Sequence, residues 1–288
     1  LQQQHAVPEW MALLTSAFLQ CLESSGLDAA IEQLLQNPSH ETADEIQKLI
    51  LGIELPSDLT QELEHIFKNE FVSVRSSAAD EDGSEHSFAG IHESYLYVKG
   101  ADSLVEHIRK VWASGYQERA LLYRRENSLP LHPVPMAVMI QRMVDAEASG
   151  VVFTADPSTG NPHRMIISSL YGLGEGLVSA GLEADHIEYN KTTGACTPTI
   201  ATKQTRYVFD KTNDAGICEV AVADDMQEKP SLSDAQLNEL AQASTGIENM
   251  YRRPQDIEFC FDGRGKLYLL QTRDITTAEE YGPAAGNQ

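Results

Sequence analysis

The sequence has little of what builds disulfide frameworks, metal clusters and membrane spans. Its 288 residues include four cysteines, which are scattered and form no CxxC pair. This usage argues against a disulfide framework or a cysteine-bound metal and favours reduced thiols in a cytosolic setting. No apolar run approaches the roughly 20 residues of a membrane helix, and the first residues lack the pattern of a secretory signal. We therefore expect a cytoplasmic protein with no membrane partner.

Positive charge is also scarce. Lysine and arginine together number 21 against 43 aspartates and glutamates, which gives a formal net charge of −22. Such a charge repels duplex nucleic acid and anionic membranes at long range, so no nucleic-acid partner is expected. A polyphosphate ligand would need a local site built from arginines, backbone amides and a metal ion. The plainer interpretation of the acidity is a solvated surface.

Several common site motifs are missing. The nine histidines show neither HxxxH nor HExxH spacing, so a zinc site is not supported. The glycine-rich turn GLGEG at 172–176 follows an apolar strand, but it lacks the Lys-Ser/Thr of a P-loop and the glycine spacing of dinucleotide-binding folds. On its own, this turn is interpreted as a tight connection between two elements.

The periodicity of apolar residues predicts both helices and short strands. The length allows one large domain or two lobes. Because helices and strands are mixed rather than strictly alternating, we expect an α+β fold with mixed or antiparallel sheets and flanking helices. Helices are predicted over 10–36, 43–50, 58–67, 103–124 and 233–250, and strands over 71–74, 95–98, 136–143, 151–153, 165–168, 187–189, 207–209 and 256–261.

The segment from Asp256 to Arg273 has the pattern of a β-hairpin. Alternation in the first strand places Asp256 and Glu258 on one face, and the sequence DGRG at 262–265 suits a hairpin turn. If the hairpin closes without a bulge, Asp256 lies opposite Gln271. The residues of the second strand predicted to share this face are Leu267, Leu269, Gln271 and Arg273.

This polar face suggests a cation site beside a phosphate. Mg²⁺ takes carboxylate and amide oxygens together with phosphate oxygens and water. Glu258 and Gln271 are therefore candidate metal ligands, and Asp256 is a second ligand or an outer-shell partner. Arg273 is a candidate phosphate contact. The alternative is a solvent-facing hairpin on which Asp256 and Arg273 form an ordinary ion pair.

A second candidate anion site follows the strand at 71–74, which is predicted to end at Arg75. Ser76 and Ser77 open a polar loop, and a glycine bend at 87–90 lets backbone amides approach an anion. Arg75 would neutralise charge on a terminal phosphate. The alternative is that Arg75 pairs with one of the carboxylates at 80–82.

Four segments that occur in order along the chain point to one family. They are SVRSSAADED…SFAG at 73–90, PMAVMIQRMVDAEASGVVFTADPSTG at 135–160, YGLGEG at 171–176 and RPQDIEF…GKLYLLQTR at 253–273. They resemble the nucleotide-binding domain of the phosphoenolpyruvate synthase and pyruvate phosphate dikinase family, which rifampicin phosphotransferase shares. The likeness extends from about residue 7 to residue 275 of the chain.

The resemblance implies a two-lobed ATP-grasp fold that binds ATP, with Mg²⁺ on the second lobe. The lobes would be residues 1–143 and 144–278, followed by a flexible tail at 279–288. On the first lobe, Arg75 would contact the phosphates, and the loop that carries Gly90 and Ser94 would close over them.

The resemblance also implies roles for the segments beside the base and the metal. Gln141 to Val144, including Met143, would form the strand next to adenine, and Glu175 would border the nucleotide. The residues implied around the phosphates and Mg²⁺ on the second lobe are Asp256, Glu258, Gln271 and Arg273, with Arg75 and Arg273 offsetting the charge of the transferred group.

In the family, this domain uses Mg-ATP to phosphorylate a histidine on a mobile carrier domain. The resemblance therefore implies an ATP-dependent phosphotransferase domain, with ATP and Mg²⁺ as cofactors and a phosphohistidine carrier domain in cis or in trans as partner. The alternatives are a catalytically incomplete nucleotide-binding or regulatory module and an interaction domain without a ligand.

The sequence departs from the family at several positions. The family's lysine-bearing GGKxAxLGE segment does not precede the altered VPxGF counterpart at 7–11, and no TSH carrier motif follows. Arg252 stands where the family usually has glycine, and Phe259 where tryptophan is frequent. With Leu1 in place of methionine, these features lead us to expect a fragment or a trimmed or abnormal product.

Overall fold

The chain folds into two compact units. The computed structural model describes residues 5–67, 69–78, 93–178 and 180–275. The N-terminal unit contains Glu9–Met143 and Lys211–Gly216, and the C-terminal unit contains the segment ending at Pro8, Val144–Asp210 and the chain from Ile217 onward. The expected lobes, 1–143 and 144–278, thus differ from these units at two short segments, the one ending at Pro8 and Lys211–Gly216. The predicted tail at 279–288 lies outside the described residues.

The N-terminal unit packs helices against one face of a four-stranded antiparallel sheet, with strand order β1-β4-β2-β3. Its strands are β1 (Trp10–Leu13), β2 (Val72–Ala78), β3 (Ser94–Val98) and β4 (Met136–Arg142). Its helices in the described ranges are α1 (Thr15–Ser25), α2 (Asp28–Leu34), α3 (His40–Leu51), α4 (Ser57–Phe67), α5 (Ala101–Ser114) and α6 (Glu118–Glu126).

Strand alternation divides this sheet into a buried face and an open face. Val74 and Ile140 are cross-strand partners, are fully buried and pack against the helices. On the helix side the rings of Phe18 and Trp112 stack with their centroids 5.0 Å apart. Residues of opposite parity, including Arg75, therefore project from the face that the helices leave uncovered. We call this second surface the open face of the N-terminal sheet; two residues on it, Ser73 and Gln141, are each only 5% exposed.

The C-terminal unit is built on a six-stranded antiparallel sheet, with strand order β12-β11-β5-β6-β7-β8, and a separate two-stranded sheet of β9 and β10. Its strands are β5 (Ala146–Phe153), β6 (Arg164–Tyr171), β7 (Asp185–Asn190), β8 (Cys196–Thr199), β9 (Thr205–Phe209), β10 (Ile217–Ala221), β11 (Gln255–Asp262) and β12 (Leu267–Asp274). Its helices in the described ranges are α7 (Glu175–Val178) and α8 (Asp234–Tyr251).

One face of the six-stranded sheet is covered by α8. The helix begins at a capping box in which the Ser233 hydroxyl accepts from Gln236 N–H and the Gln236 side chain binds back to Ser233. Leu240 and Ile247 of the helix are fully buried in a cluster with Phe259. Strand residues of opposite parity, including Glu258, form the open face of the C-terminal sheet.

A buried ion pair fixes two loops of the C-terminal unit. Lys203 and Asp185 are each 1% exposed, and Lys203 Nζ donates to Asp185 Oδ1 at 2.5 Å. Asp185 also accepts hydrogen bonds from Ala201 N–H at 3.0 Å and from both the N–H and hydroxyl of Ser231 at 2.7 Å. These bonds offset part of the desolvation cost of the two buried charges. The pair therefore ties the loops around Ala201 and Ser231 to β7.

The expected α+β class is confirmed, and every strand pair in the described ranges is antiparallel. Two helix predictions are wrong in part. Residues Trp10–Leu13 form β1 because they pair with β4 from Val138 to Gln141. The predicted helix over 103–124 breaks after Ser114, where the chain turns to bury the ring of Tyr116 completely.

Two further features of the described chain concern membrane spans and cysteines. Among the helices in the described ranges, none has the length and apolar character that crossing a bilayer requires. All four cysteines are free thiols. The most buried of them is Cys260, whose thiol has its pKa raised to about 12 because burial disfavours the thiolate.

Arg252 adopts the backbone conformation that glycine prefers. It follows the last residue of α8 with φ 57° and ψ 29°, in the left-handed region. We expect Arg252→Gly to raise the free energy of unfolding by about 1 kcal/mol, because glycine has no Cβ to strain this conformation. Chemical denaturation of the two proteins measures the difference.

The control for this substitution is Arg253→Gly. Arg253 is not among the residues with positive φ, and its Nη1 lies 3.0 Å from Asp274 Oδ2. Glycine should therefore give no stabilisation there. Equal effects of the two substitutions would contradict the strain explanation.

Candidate functional site

The β11–β12 hairpin gathers the four predicted polar side chains on the open face of the C-terminal sheet. Asp256 lies directly opposite Arg273, and Glu258 lies directly opposite Gln271. Opposed residues in an antiparallel pair share a face, with Cβ atoms about 4.5–5.5 Å apart. Glu258 and Gln271 are both half-buried. Their side-chain oxygens can therefore approach one cation from neighbouring strands.

The register predicted without a bulge is wrong. The pairing shifts after Glu258, whose neighbour Phe259 pairs with Leu269, so Leu270 is the extra residue of a β-bulge. The turn already pairs Phe261 with Leu267, one residue beyond the predicted register, and the bulge adds a second residue, so Asp256 faces Arg273 instead of Gln271. The turn register also places Leu267 and Leu269 opposite the buried Phe261 and Phe259, in the hydrophobic core instead of on the polar face.

Asp256 and Arg273 form an ion pair beside this pair of candidate ligands. Arg273 Nε donates to Asp256 Oδ2 at 2.8 Å. The Asp256 side chain is 9% exposed, whereas that of Arg273 is 46% exposed. An ion pair between these two residues is what the alternative of a solvent-facing hairpin predicted. The carboxylate holds the guanidinium in place while almost half of the arginine surface still faces solvent.

The donor set fits magnesium better than a transition metal. No group of three or more histidine, cysteine, aspartate or glutamate side chains is placed to hold a metal within the described ranges. The set at the hairpin instead combines two carboxylates, Asp256 and Glu258, with the carboxamide of Gln271. Hard oxygen donors of this kind suit Mg²⁺, which keeps several water or phosphate ligands of its own.

The GLGEG turn is a tight connection fixed at one end of the same sheet. Gly172 has φ +78°, and a Cβ there would lie 2.3 Å from the carbonyl oxygen of Tyr207. The Ser149 hydroxyl donates to the Gly172 carbonyl at 2.5 Å, and Leu173 N–H donates to Tyr207 O at 3.0 Å. These bonds set the start of α7, whose first residue is the half-buried Glu175.

The loop after β5 is organised by Asp156. Its carboxylate accepts from the Thr159 hydroxyl at 2.6 Å and from the N–H groups of Ser158 and Thr159 at 2.9 and 3.2 Å. The Thr159 hydroxyl bond is the main reason that the pKa of Asp156 lies below its ordinary value of 3.8, and Arg164 contributes. The loop is thus held by a carboxylate that remains ionised.

Arg164 is a cationic residue on the open face that the sequence reasoning missed. Its Nη1 lies 3.6 Å from Asp156 Oδ2 and 3.2 Å from Glu188 Oε2, and its side chain is 40% exposed. Its side chain lies on the same face of the sheet as Ile166, two residues along β6. Ile166 pairs with Phe153 of β5, and Phe153 pairs with Asp256 of β11, so Arg164 and Asp256 lie on the same face. Alternation along β6 would have found it, but the strand was predicted only over 165–168.

The open face of the N-terminal sheet carries a second group of predicted residues. Arg75 is paired with Ser94 on one side and with Met139 on the other. Gln141 is the next β4 residue on that face and is paired with Ser73. Contrary to the prediction, Arg75 does not end its strand, because β2 continues to Ala78.

The remaining predicted residues fall at or near the boundary between units or outside the described chain. Met143 is the last residue of the N-terminal segment, and its N–H donates to Phe71 O at 2.9 Å. Val144, half-buried, is the first residue of the C-terminal segment. Gly90 and the carboxylates at 80–82 lie outside the described residues.

Comparison with protein families matches residues 2–286 to the family described as the pyruvate phosphate dikinase, AMP/ATP-binding domain. The chain belongs to this family. The membership supports ATP as a ligand. Two units of helices and antiparallel sheets are also consistent with the expected ATP-grasp-like α+β fold.

The family's curated relatives are much longer proteins. A probable phosphoenolpyruvate synthase of Methanocaldococcus jannaschii is 37% identical over 266 residues, covering 89% of this chain and 22% of the relative. The phosphoenolpyruvate synthase of Pyrococcus furiosus is 36% identical, with coverage of 85% and 32%. Rifampicin phosphotransferase of Bacillus subtilis is 34% identical, with coverage of 94% and 32%. The chain thus spans less than a third of each of these three relatives.

Solved structures give only distant matches. D-alanyl-alanine synthetase A from Vibrio cholerae aligns with a TM-score of 0.30 and 10% identity over 97% of this chain and 54% of that one. An ATP-grasp ligase from Chryseobacterium gregarium aligns with a TM-score of 0.27 and 10% identity over 88% and 53%. Likeness at this level carries no argument about function.

Thr159→Ala tests the charged loop after β5. The change removes the hydroxyl bond to the buried Asp156 carboxylate, and we expect it to lower the free energy of unfolding at neutral pH by about 1–3 kcal/mol. Because the folded pKa of Asp156 is depressed, this stabilisation is present above its unfolded pKa and is lost as pH falls through the folded value.

The measurement is denaturant unfolding of both proteins at neutral pH and again at acid pH. The difference in free energy of unfolding between the wild type and Thr159→Ala should narrow as the pH falls below 3.8, the ordinary pKa of aspartate. Thr159→Ser, which keeps the hydroxyl, serves as the control. A gap of constant size at every pH would mean that the threonine acts through packing alone.

Proposed function

We propose that this domain binds Mg-ATP and transfers a phosphoryl group from it to a histidine of a carrier domain, supplied in cis or in trans. The proposal is carried by one observation. In a chain of the pyruvate phosphate dikinase nucleotide-binding family, Glu258 and Gln271 are directly opposed beside an Asp256–Arg273 ion pair. This arrangement brings oxygen donors for a divalent cation next to a guanidinium for phosphate.

In the C-terminal unit, Glu258 and Gln271 would hold Mg²⁺, with Asp256 as a further ligand or as the residue that orients Arg273. Bound magnesium would neutralise negative charge on the phosphate oxygens. Arg273 would offset charge on the transferred group. Its ion pair with Asp256 supports this role, because a guanidinium held by a carboxylate loses less side-chain freedom when phosphate binds.

In the N-terminal unit, Arg75 would bind phosphate and Ser94 would add a hydroxyl donor. Their direct pairing across β2 and β3 supports a joint role. Gly90 is proposed as part of the same phosphate-contacting loop. Serine hydroxyls and arginine donors are common partners of phosphate oxygens.

The base and sugar are assigned to other segments. Gln141, Met143 and Val144 would lie beside adenine, and Glu175 would border the nucleotide. The fixed backbone of the GLGEG turn supports the last assignment, since its hydrogen bonds set the position at which α7 begins. The reduced cysteines agree with a cytoplasmic location, which we include in the proposal.

The proposed reaction needs no covalent intermediate on this chain. An imidazole nitrogen of the carrier histidine would form a bond to phosphorus while the bond from phosphorus to the leaving oxygen of the nucleotide breaks. The electron pair stays with that oxygen, and the imidazole proton passes to solvent. Catalysis of such a transfer depends on positioning and on charge neutralisation. Arg75 and Arg273 are the side chains assigned to neutralise charge.

Glu258→Gln tests the metal assignment. The change keeps the size of the side chain but removes the anionic donor, so the affinity for Mg-ATP should fall at least about tenfold. Isothermal titration at saturating Mg²⁺ measures it. Glu219→Gln removes the same charge from an exposed position on β10 and is the control. Equal affinity of wild type and the Glu258 variant would remove this residue from the site.

Arg273→Met tests the transfer step. Incubation with radiolabelled ATP and the isolated carrier domain of a related phosphoenolpyruvate synthase should give an acid-labile label on its histidine. The substitution should slow labelling about a hundredfold, the usual effect of losing a donor to developing charge. Arg253→Met is the control, because Arg253 is 72% exposed and pairs with Asp274.

The same assay separates the proposed function from its alternative. A wild-type chain that binds Mg-ATP but never labels the carrier histidine would be a nucleotide-binding or regulatory module. A wild-type chain that binds no Mg-ATP would contradict both functions and favour an interaction domain.

A further inference from the structure

Arg142 ends strand β4 on the helix side of the N-terminal sheet. Met136, Val138 and Ile140 alternate along the strand and are fully buried among the helices, and Arg142 is the next residue of that parity. Gln141 projects to the opposite, open face. The guanidinium of Arg142 therefore lies on the far side of the sheet from the residues proposed to meet the nucleotide.

The Arg142 side chain joins three segments of the unit. Its Nη2 lies 2.9 Å from Glu9 Oε2 and its Nη1 lies 2.6 Å from Glu70 Oε2. Nη2 also donates to the carbonyl of Ile66 at 3.3 Å. Glu9 precedes β1, Glu70 precedes β2, and Ile66 is in the last turn of α4. One planar guanidinium thus contacts the residues just before β1 and β2, the two strands that flank β4, and the last turn of α4.

Backbone hydrogen bonds run in parallel with these side-chain contacts. Arg142 N–H donates to Glu9 O at 2.9 Å, and Met143 N–H donates to Phe71 O at 2.9 Å. Glu9 is therefore bound to Arg142 through both its main chain and its side chain. These bonds are the last that hold β4 before the chain enters the C-terminal unit at Val144.

Of the three charged side chains, that of Arg142 is the most buried. The Arg142 side chain is 29% exposed, against 56% for Glu9 and 48% for Glu70. A single exposed ion pair contributes little, because two long side chains must be ordered to form it. Here one partly buried guanidinium is ordered once and satisfies three acceptors, so its geometry is set more firmly than that of an isolated pair.

We infer that Arg142 is a positioning residue that fixes the main chain of Gln141 to Val144 for recognition of the nucleotide base. The N–H groups of Arg142 and Met143 are not among the groups that would meet the base, because they donate to Glu9 O and Phe71 O. The inference rests on the proposed function, in which this segment lies beside adenine. Peptide N–H and C=O groups can distinguish bases only if their positions are fixed, since hydrogen bonds weaken steeply with distance and angle. Arg142 itself touches no nucleotide in this scheme.

Arg142→Met tests the inference through base selectivity. The variant keeps an apolar stem and loses all three polar contacts. Calorimetry gives the dissociation constants for Mg-ATP and for Mg-inosine triphosphate, which differ only at the base. We expect the preference for ATP over inosine triphosphate to fall about fivefold, the effect of one weakened hydrogen bond. A loss of stability without a positioning role would leave this ratio unchanged.

Two further variants make the result decisive. The double variant Glu9→Gln/Glu70→Gln removes both carboxylates and leaves Arg142 in place, so it should reduce the same ratio, and it replaces Arg142→Met if that protein does not fold. Arg142→Lys keeps a charge but not the fork, and it should restore only part of the selectivity.

Unchanged selectivity in Arg142→Met, or in the double variant, would overturn the inference while leaving the proposed function standing. Equal losses of affinity for both nucleotides would also overturn it, because they indicate a general structural effect. Failure of the wild type to bind Mg-ATP, or to prefer it over inosine triphosphate, would overturn the inference as well. Of these results, only the absence of binding counts against the proposed function itself.

Discussion

The register of the β11–β12 hairpin is the constraint on which the candidate site depends. Glu258 and Gln271 meet only because the strands pair as they do, and a slip of one residue would move a side chain to the opposite face. The bulge at Leu270 reconciles two demands on β12. It leaves Leu269 in the core against α8 while Gln271 stays on the open face. Burial of the leucine thus helps to fix the position of the carboxamide.

Both units follow the same plan, in which helices cover one sheet face and the candidate site residues lie on the other. This plan matters for a chain of net charge −22, because an acidic surface does not attract polyphosphate at long range. Any such site has to be made locally, from a few cations held in position. Arg273 is held by Asp256, and Arg164 by Asp156 and Glu188. Arg142 lies on the helix side instead, where it can act only through the backbone.

Patterns that act within one element were predictable from sequence. The helix predicted over 233–250 from its apolar spacing is α8, and the structure shows a capping box at Ser233. Patterns that depend on a distant partner were not. Trp10–Leu13 continues the apolar spacing of the following helix, yet it becomes a strand because β4 offers it a ladder of hydrogen bonds. Arg75 was placed at a strand end, although pairing with β4 extends β2 to Ala78.

By itself the sequence determined the family, the motifs and the identity of the polar residues in the hairpin, because these are properties of residue types and their spacing. Only the tertiary structure decided which of those residues face one another. It paired Asp256 with Arg273, placed the bulge at Leu270 and joined Arg142 to Glu9 and Glu70. The physical reason is that strand register and long-range ion pairs depend on backbone hydrogen bonds and core packing between segments far apart in the chain.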